Sequence, residues 1–317
     1  MNKVLITGVA GFAGHHLIEI LRDECEIYGF DHRPNSTSSE IDSIEYRSVD
    51  IIDASRVEDL ILKIEPDYIY HLAAISSVAA SWTDQYRTYQ VNIMGQINVM
   101  TAALKLSNKP KVMIACSSQE YGAVSPEELP LKEEADIRPD SPYAASKVCQ
   151  DFIGLQYFIG FGLPVTRSRS FNHTGPFQSD TFVCSDFARQ IAEIERGIRV
   201  AKIMVGNLEA KRDFTDVRDV VRAYKLIAEK GRAGEAYNVC SAKAYSAREI
   251  LEMLLGHTDI KIKVEVDPEK NRPSDVPILV GDNSKIMRDV GWEPTIDMDS
   301  TLLDLLNWWR DRLADEG

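Results

Sequence analysis

One segment constrains this chain more than any other: Thr7-Gly8-Val9-Ala10-Gly11-Phe12-Ala13-Gly14. It follows an apolar run, Lys3–Thr7, that reads as a buried strand, and it leads into His15–Asp23, which reads as a helix. Three glycines spaced by three at a strand-to-helix turn have separate uses. Gly8 permits the tight turn, Gly11 lets backbone N–H groups approach a pyrophosphate, and Gly14 lets the helix pack close to the strand. Phosphates then rest on a helix N-terminus, where free N–H groups and the helix dipole favour anions. Gly8, Gly11, Phe12, Ala13 and Gly14 are therefore candidate cofactor contacts. Residues 1–14 also imitate a secretory leader, with one Lys before an apolar stretch. His15, His16 and Glu19 follow at once and no small-residue cleavage site appears, so a strand and loop are expected instead.

The alternation continues downstream. Glu26–Phe30, Tyr46–Asp50, Tyr68–Leu72, Lys111–Ser117 and Leu163–Ser168 read as strands. Ser55–Ile64 (with Ser55 as its cap), Ala80–Lys105 and Pro142–Phe161 read as helices. Strands separated by helices predict βαβ units and a parallel sheet. After about Ser170 the alternation fades. Phe182–Arg196, Val217–Ala228, Ser246–Leu255 and Thr301–Leu313 read as helices, and Ala236–Cys240 as a short strand. Ser246 and Glu249 stand at the two positions of a capping box. The expected fold is α/β, a Rossmann-like doubly wound parallel sheet with a smaller C-terminal α/β substrate-binding lobe. Residues 1–170 plus about 212–240 would form the dinucleotide-binding domain. Residues 171–211 and 241–317, approximately, would form the lobe.

Asp31 closes the second strand, 23 residues beyond Gly8. An acid at about this distance accepts hydrogen bonds from the adenosine ribose and favours NAD(H). Arg33 lies close by and can hold a 2′-phosphate, so NADP(H) stays open. Asp50, with Ile51 beside it, is either an acceptor for the adenine amino group or a solvated strand end.

Tyr143-Ala-Ala-Ser-Lys147 opens the long helix, and residues four apart share one helix face. A tyrosine with its ordinary pKa near ~10 is a poor proton donor at neutral pH. A Lys ammonium about 4–6 Å away lowers that pKa by favouring phenolate. Ser117 and Ser118 end the strand Lys111–Ser117, at the carboxyl edge of the sheet where such sites form. Ser117, Tyr143 and Lys147 are the candidate catalytic residues.

Together these motifs resemble the extended short-chain dehydrogenase/reductase family, within its nucleotide-sugar epimerase, dehydratase and reductase group. The resemblance spans essentially the whole chain. It rests on TGVAGFAG, His71–Ala74, Val91-Asn92, SSQEYG at 117–122, YAASK and FNHTGP at 171–176. It implies a nicotinamide cofactor in the N-terminal sheet, with Leu72, Ala73, Ala74 and Asn92 near it. It implies a nucleotide-diphosphate sugar in the lobe, and hydride exchange at a sugar carbon with Tyr143 as acid/base. The segment Val205–Asp219 and Arg272-Pro-Ser-Asp-Val276 resemble the GDP-sugar branch. By that resemblance Asn207 lies near the base, Arg212 and Arg272 clamp the diphosphate, and Asp275 faces the ribose. Asn172, Ser118 and Gln119 then contact the substrate. Arginines suit this task because a guanidinium grips phosphate through two bonds.

At position 119 the family's 4,6-dehydratases carry a Glu that removes the C5 proton. Acid/base work needs a titrating group, and an amide is not one. Glu120 is adjacent, but on an extended segment it would point the opposite way. Within the group the chain most resembles the keto-sugar reductases, and that resemblance implies reduction of the C4 ketone of GDP-4-keto-6-deoxy-D-mannose to GDP-D-rhamnose as the expected reaction. An NAD-retaining 4-epimerase, a GDP-mannose 4,6-dehydratase and a non-catalytic nucleotide-binding protein are the alternatives. The family commonly pairs through two long helices, here Ala80–Lys105 and Pro142–Phe161, so a homodimer is expected.

Composition narrows the setting. With 36 basic and 49 acidic residues the net charge is −13. A field of that sign disfavours nucleic acid and anionic membrane surfaces. No apolar run reaches the ~18–20 residues of a membrane helix. Five scattered cysteines form no disulfide framework, and neither they nor the six histidines suggest a metal site. Reduced thiols point to a cytoplasmic protein.

Overall fold

The computed structural model describes residues 1–34, 41, 43–267 and 277–315. Its strands are β1 (Asn2–Thr7), β2 (Cys25–Asp31), β3 (Glu45–Ser48), β4 (Tyr68–His71), β5 (Lys111–Ser117), β6 (Val165–Ser170) and β7 (Asn172–Thr174). They continue with β8 (Lys202–Val205), β9 (Lys211–Asp216), β10 (Ala236–Val239), β11 (Ala244–Ser246), β12 (Lys263–Val266) and β13 (Ile278–Leu279). Seven of them form one parallel sheet in the order β3-β2-β1-β4-β5-β6-β10. The chain reverses its direction of travel between β1 and β4, and a doubly wound sheet binds ligands in that crevice.

Helices cover both faces. On one side lie α1 (Phe12–Leu21), which contributes Leu17, Ile18 and Leu21, and, from further along the chain, Val217–Lys230 with Val220, Val221 and Ile227. Both pack on Val4 and Ile6. On the other side, α2 (Ala54–Ile64), α3 (Val78–Thr83), α4 (Gln85–Tyr89), α5 (Gly95–Leu104) and α6 (Pro142–Phe161) follow one another along the chain. Val57 and Ile61, Val99 and Met100, and Tyr157 meet Leu5, Ile69 and Val112 there.

Two helix readings need correction. Asp53, not Ser55, caps α2, since its Oδ1 accepts Arg56 N–H at 3.1 Å. The expected single helix 80–105 is broken at Asp84. That residue ends α3 and caps α4 by accepting Arg87 N–H at 2.9 Å. A π-turn over Gln90–Met94 then precedes α5. By contrast, β5 and α6 match their expected bounds. For α6 the reason is local: the Ser141 hydroxyl caps it, Pro142 opens it, and Gly162 closes it in the left-handed conformation.

The remaining helices are α7 (Val183–Glu195), α8 (Val217–Lys230), α9 (Ala247–Gly256), α10 (Ser284–Val290) and α11 (Met298–Asp315). The capping box of α9 forms as its sequence indicates. Phe187 and Ile191 of α7, Ile250 and Leu254 of α9, and Leu302 and Leu305 of α11 share a separate core with Ile203 and Val205 of β8. Beside that core, β9 pairs with β7, β11 and β13, and β8 pairs with β12. No helix among the described residues is long and apolar enough to cross a membrane.

Candidate active site and cofactor cleft

A cavity of about 360 Å³ opens along the carboxyl edge of the sheet at the β1/β4 crevice. That volume falls in the roughly 300–1,000 Å³ range of small-ligand sites. Gly8, Gly11, Phe12, Ala13 and Gly14 form its floor. Gly8 has φ +71°, and a side chain there would press within 2.8 Å of the Ala73 backbone. A Cβ on Gly14 would lie 2.1 Å from Val9 O, so only glycine lets α1 begin this close to β1. Leu72, Ala73 and Ala74 form the opposite wall.

At one end stand Asp31, Arg33, Asp50 and Ile51, with His32 and Arg87. The Asp31 carboxylate is already engaged. Its Oδ2 accepts Ala10 N–H at 3.2 Å, and its Oδ1 accepts both Arg33 N–H and Arg33 Nε–H at 3.1 Å. Asp50 accepts from Arg87 at 2.9 Å. That bond and the N–H of Ile52 outweigh partial burial and hold Asp50 below the usual carboxylate range.

Tyr143 and Lys147 line the other end, with Cys116, His173 and Tyr224. Both are buried. The side chains of Ser117 and Tyr143 are hydrogen-bonded, and Lys147 Nζ lies 5.9 Å from the centre of the Tyr143 ring. That ammonium donates to Ala115 O at 2.8 Å. Burial pushes Tyr143 up and Lys147 down, which opposes the simple expectation of a lowered phenol pKa. Ser117 draws the phenol back in part. The imidazole of His173 lies nearby. Its Nδ1–H donates to Phe171 O at 3.0 Å, and its ring lies parallel to Phe12 with centroids 5.7 Å apart.

Asn92 does not line the cavity. It is buried behind it, where Oδ1 accepts Ile75 N–H at 2.7 Å and Nδ2 donates to Ser146 Oγ at 2.8 Å. It thus ties the segment after β4 to the helix that carries Tyr143. Ser118 is buried and Gln119 half-buried in a 3-10 turn over Ser118–Tyr121. Asn172 lies on β7 opposite Phe214. Asn207 is exposed, and its Oδ1 accepts Glu209 N–H. Arg212 is half-buried on β9 and donates to Lys211 O. Arg272 and Asp275 lie outside the described residues.

The reading of residues 117–121 as extended is corrected by that 3-10 turn. Ser117 caps it, and Glu120 turns inward to accept Ser117 N–H at 2.9 Å. The signal was present as Ser117-x-x-Glu120, a capping-box pattern. His32, Arg87, His173 and Tyr224 reach the cavity without any comparable local signal, because their positions depend on contacts between distant segments.

The sequence matches the GDP-mannose 4,6 dehydratase family over residues 5–305. The chain belongs to that family. It is an enzyme of the NAD(P)-dependent extended short-chain dehydrogenase/reductase type, within a group of nucleotide-sugar oxidoreductases. It is 32% identical over 315 residues to the GDP-6-deoxy-D-mannose reductase of Pseudomonas aeruginosa, covering 99% of both chains. With the GDP-mannose 4,6-dehydratase of Yersinia enterocolitica it shares 28% over 351 residues, covering 96% of this chain and 93% of the other. The structure of RMD from P. aeruginosa complexed with NADPH superposes with a TM-score of 0.87 at 30% identity, covering 98% of this chain and all of that one. Thermus thermophilus UDP-glucose 4-epimerase in complex with NAD gives 0.87 at 27%, covering 97% and 99%. These neighbours are complexed with NADPH or NAD, and NAD(P)(H) binding is a property of the chain's type.

Proposed function

We propose that the protein reduces the C4 ketone of GDP-4-keto-6-deoxy-D-mannose to GDP-D-rhamnose, using NADH or NADPH. The observation that carries this reading is the distribution of carboxylates. Among the described residues that line the cavity, the carboxylates are Asp31 and Asp50, both far along the cleft from Tyr143. Beside Ser117, position 119 is an amide and Glu120 is turned inward. Dehydration needs a titrating group to remove a carbon-bound proton. Carbonyl reduction needs only one proton donor. The end-to-end alignment with the Pseudomonas reductase supports the same choice.

The residues present fit a dinucleotide, because glycines at positions 8 and 14, where a Cβ would strike the Ala73 or Val9 backbone, keep the turn tight and the cavity floor open to backbone N–H groups. The bound cofactor supplies the hydride. Tyr143 would give its phenolic proton to the developing alkoxide, while the Ser117 hydroxyl donates to the same oxygen. Lys147 would compensate the phenolate left behind. At the adenosine end, Arg33 would serve a 2′-phosphate and Asp31 a free ribose hydroxyl, so both cofactors are expected to bind.

The lobe formed by about 171–211 and 241–317 would hold the GDP-sugar, through Asn172, Asn207, Arg212, Arg272 and Asp275. The sheet domain, 1–170 plus about 212–240, would hold the cofactor. Exposed Tyr86 on α4, and Phe152 and Ile159 on α6, support a homodimer built on these helices.

The test is oxidation of reduced cofactor in the presence of GDP-4-keto-6-deoxymannose, followed by absorbance. Stoichiometric oxidation that disappears in Tyr143→Phe supports the proposal. No oxidation at saturating sugar overturns it. Isomerisation of a GDP- or UDP-sugar with retained NAD would instead favour a 4-epimerase, a reading to which the fold shared with the Thermus enzyme lends support.

A further inference from the structure

Glu120 has no part in the chemistry proposed above, yet it lies directly beneath it. The side chain is fully buried. Its Oε1 accepts Ser117 N–H at 2.9 Å. Its Oε2 receives no hydrogen bond among the described residues and lies 3.5 Å from Arg169 Nε. Across from it stands Asp151, one turn beyond Lys147 on α6. The two carboxyl groups lie within 4.8 Å of one another and of Cys116 Sγ. Asp151 is itself committed to two cations: Arg167 Nη1 donates to its Oδ1, and Arg169 Nε donates to its Oδ2 at 2.8 Å.

Two buried carboxylates this close do not both ionise readily, since each charge opposes the other. A buried carboxylate oxygen without a donor adds a desolvation cost. One proton on Glu120 Oε2 relieves both difficulties, because it turns the orphan oxygen into a donor toward Asp151. Resting on the function proposed above, we propose that Glu120 and Asp151 share one proton beneath Ser117. Glu120 is then a positioning residue that holds the Ser117 backbone while keeping negative charge away from Tyr143.

The groups around Glu120 come from three elements. Cys116 belongs to β5, Arg167 and Arg169 to β6, and Tyr143, Lys147 and Asp151 to α6. Tyr121, next in sequence, accepts from Arg169 at 3.2 Å. Burial is the largest influence on Glu120 and Asp151 the next, and together they push it up to about 8. An ionised Glu120 would raise Tyr143 and Lys147 alike, holding the phenolic proton more tightly. The shared proton thus keeps Tyr143 a better donor at neutral pH.

Two variants of the full-length protein test this. Glu120→Gln copies the neutral acid: its amide oxygen can accept from Ser117, and its NH2 can donate to Asp151. Glu120→Leu removes both contacts. We expect the Gln variant to keep kcat within about threefold at neutral pH and to lose the part of the alkaline decline that Glu120 sets. We expect the Leu variant to lose on the order of 10- to 100-fold in kcat, with the KM for reduced cofactor unchanged, as for loss of an interaction made in the transition state.

A second readout needs no turnover. A carboxyl group whose folded-state pKa is raised stabilises the fold fully below its unfolded value near 4.5, and loses that stabilisation as pH rises through about 8. The wild-type Tm should therefore fall more steeply than that of Glu120→Gln between those limits. Equal slopes, or a Gln variant as impaired in kcat as the Leu variant, would overturn the proposal. If the wild type turns over no keto-sugar, the functional reading fails, and the Tm comparison still decides whether the proton is shared.

Discussion

The two ends of the cleft use the same kinds of side chain under opposite conditions. At the adenosine end, Asp31 pairs with Arg33 and Asp50 with Arg87, and both arginines are 39–49% exposed. At the catalytic end, Asp151 meets Arg167 and Arg169 where no side chain in the set is more than 7% exposed. Water screens the two arginines and leaves them available to a ligand, although Asp31 itself is buried. The second group is shut away, so its charges hold one another and act on Tyr143 and Lys147 from behind. The exposed Arg33 is the group proposed above to recognise a 2′-phosphate. A pair sealed in the protein sets geometry and proton affinity.

That contrast can be broken from its stronger side first. Asp151→Ala should leave Arg167 without a carboxylate partner and Arg169 with Glu120 alone, and cost about 3–5 kcal/mol of stability, measured by denaturant unfolding. A cost below 1 kcal/mol would mean that the cluster is hydrated and not sealed. Next in size, Arg33→Ala should weaken NADPH binding about tenfold, or about 1.4 kcal/mol, and leave NADH nearly unchanged. Titration with each cofactor by fluorescence checks this, and equal losses for both would remove Arg33 from 2′-phosphate recognition. The smallest effect belongs to Arg87→Ala. It breaks a half-exposed pair and should change stability by less than about 1 kcal/mol, an amount that added salt reduces further.

Legibility in the sequence followed the range of the interactions involved. The glycine loop, β5 and α6 were readable because each carries its own determinants within a few residues. Gly14 is required by contact to Val9, and Ser141, Pro142 and Gly162 delimit α6. Apart from β6 and β10, which were read near their observed bounds, the strands of the second half were not readable. The three residues of β7 are defined only by pairing with β9, some forty positions away, and β13 by pairing with the same strand. No periodicity develops over two or three residues. The inward turn of Glu120 was an intermediate case. Its capping box was written in the sequence, but the buried partners that give it meaning come from α6 and β6. Arg87 reached the cleft because Asp84 breaks and restarts a helix, a local event whose consequence is distant.

The first helix and the last segment of the chain also meet beside the glycine loop. His15 stacks on Phe177 with ring centroids 4.7 Å apart, Phe177 leans on Trp308 of α11 at 5.6 Å, and His16 Nε2 donates to Pro176 O at 3.0 Å. The contact therefore needs residues 15, 177 and 308 all present. A nascent chain can pair β1 with β2 and form the phosphate turn early. The aromatic wedge behind that turn is completed only after residue 308 has left the ribosome. The element translated first is therefore among the last to be finished, and a truncated chain that stops short of α11 carries the binding motif without its support.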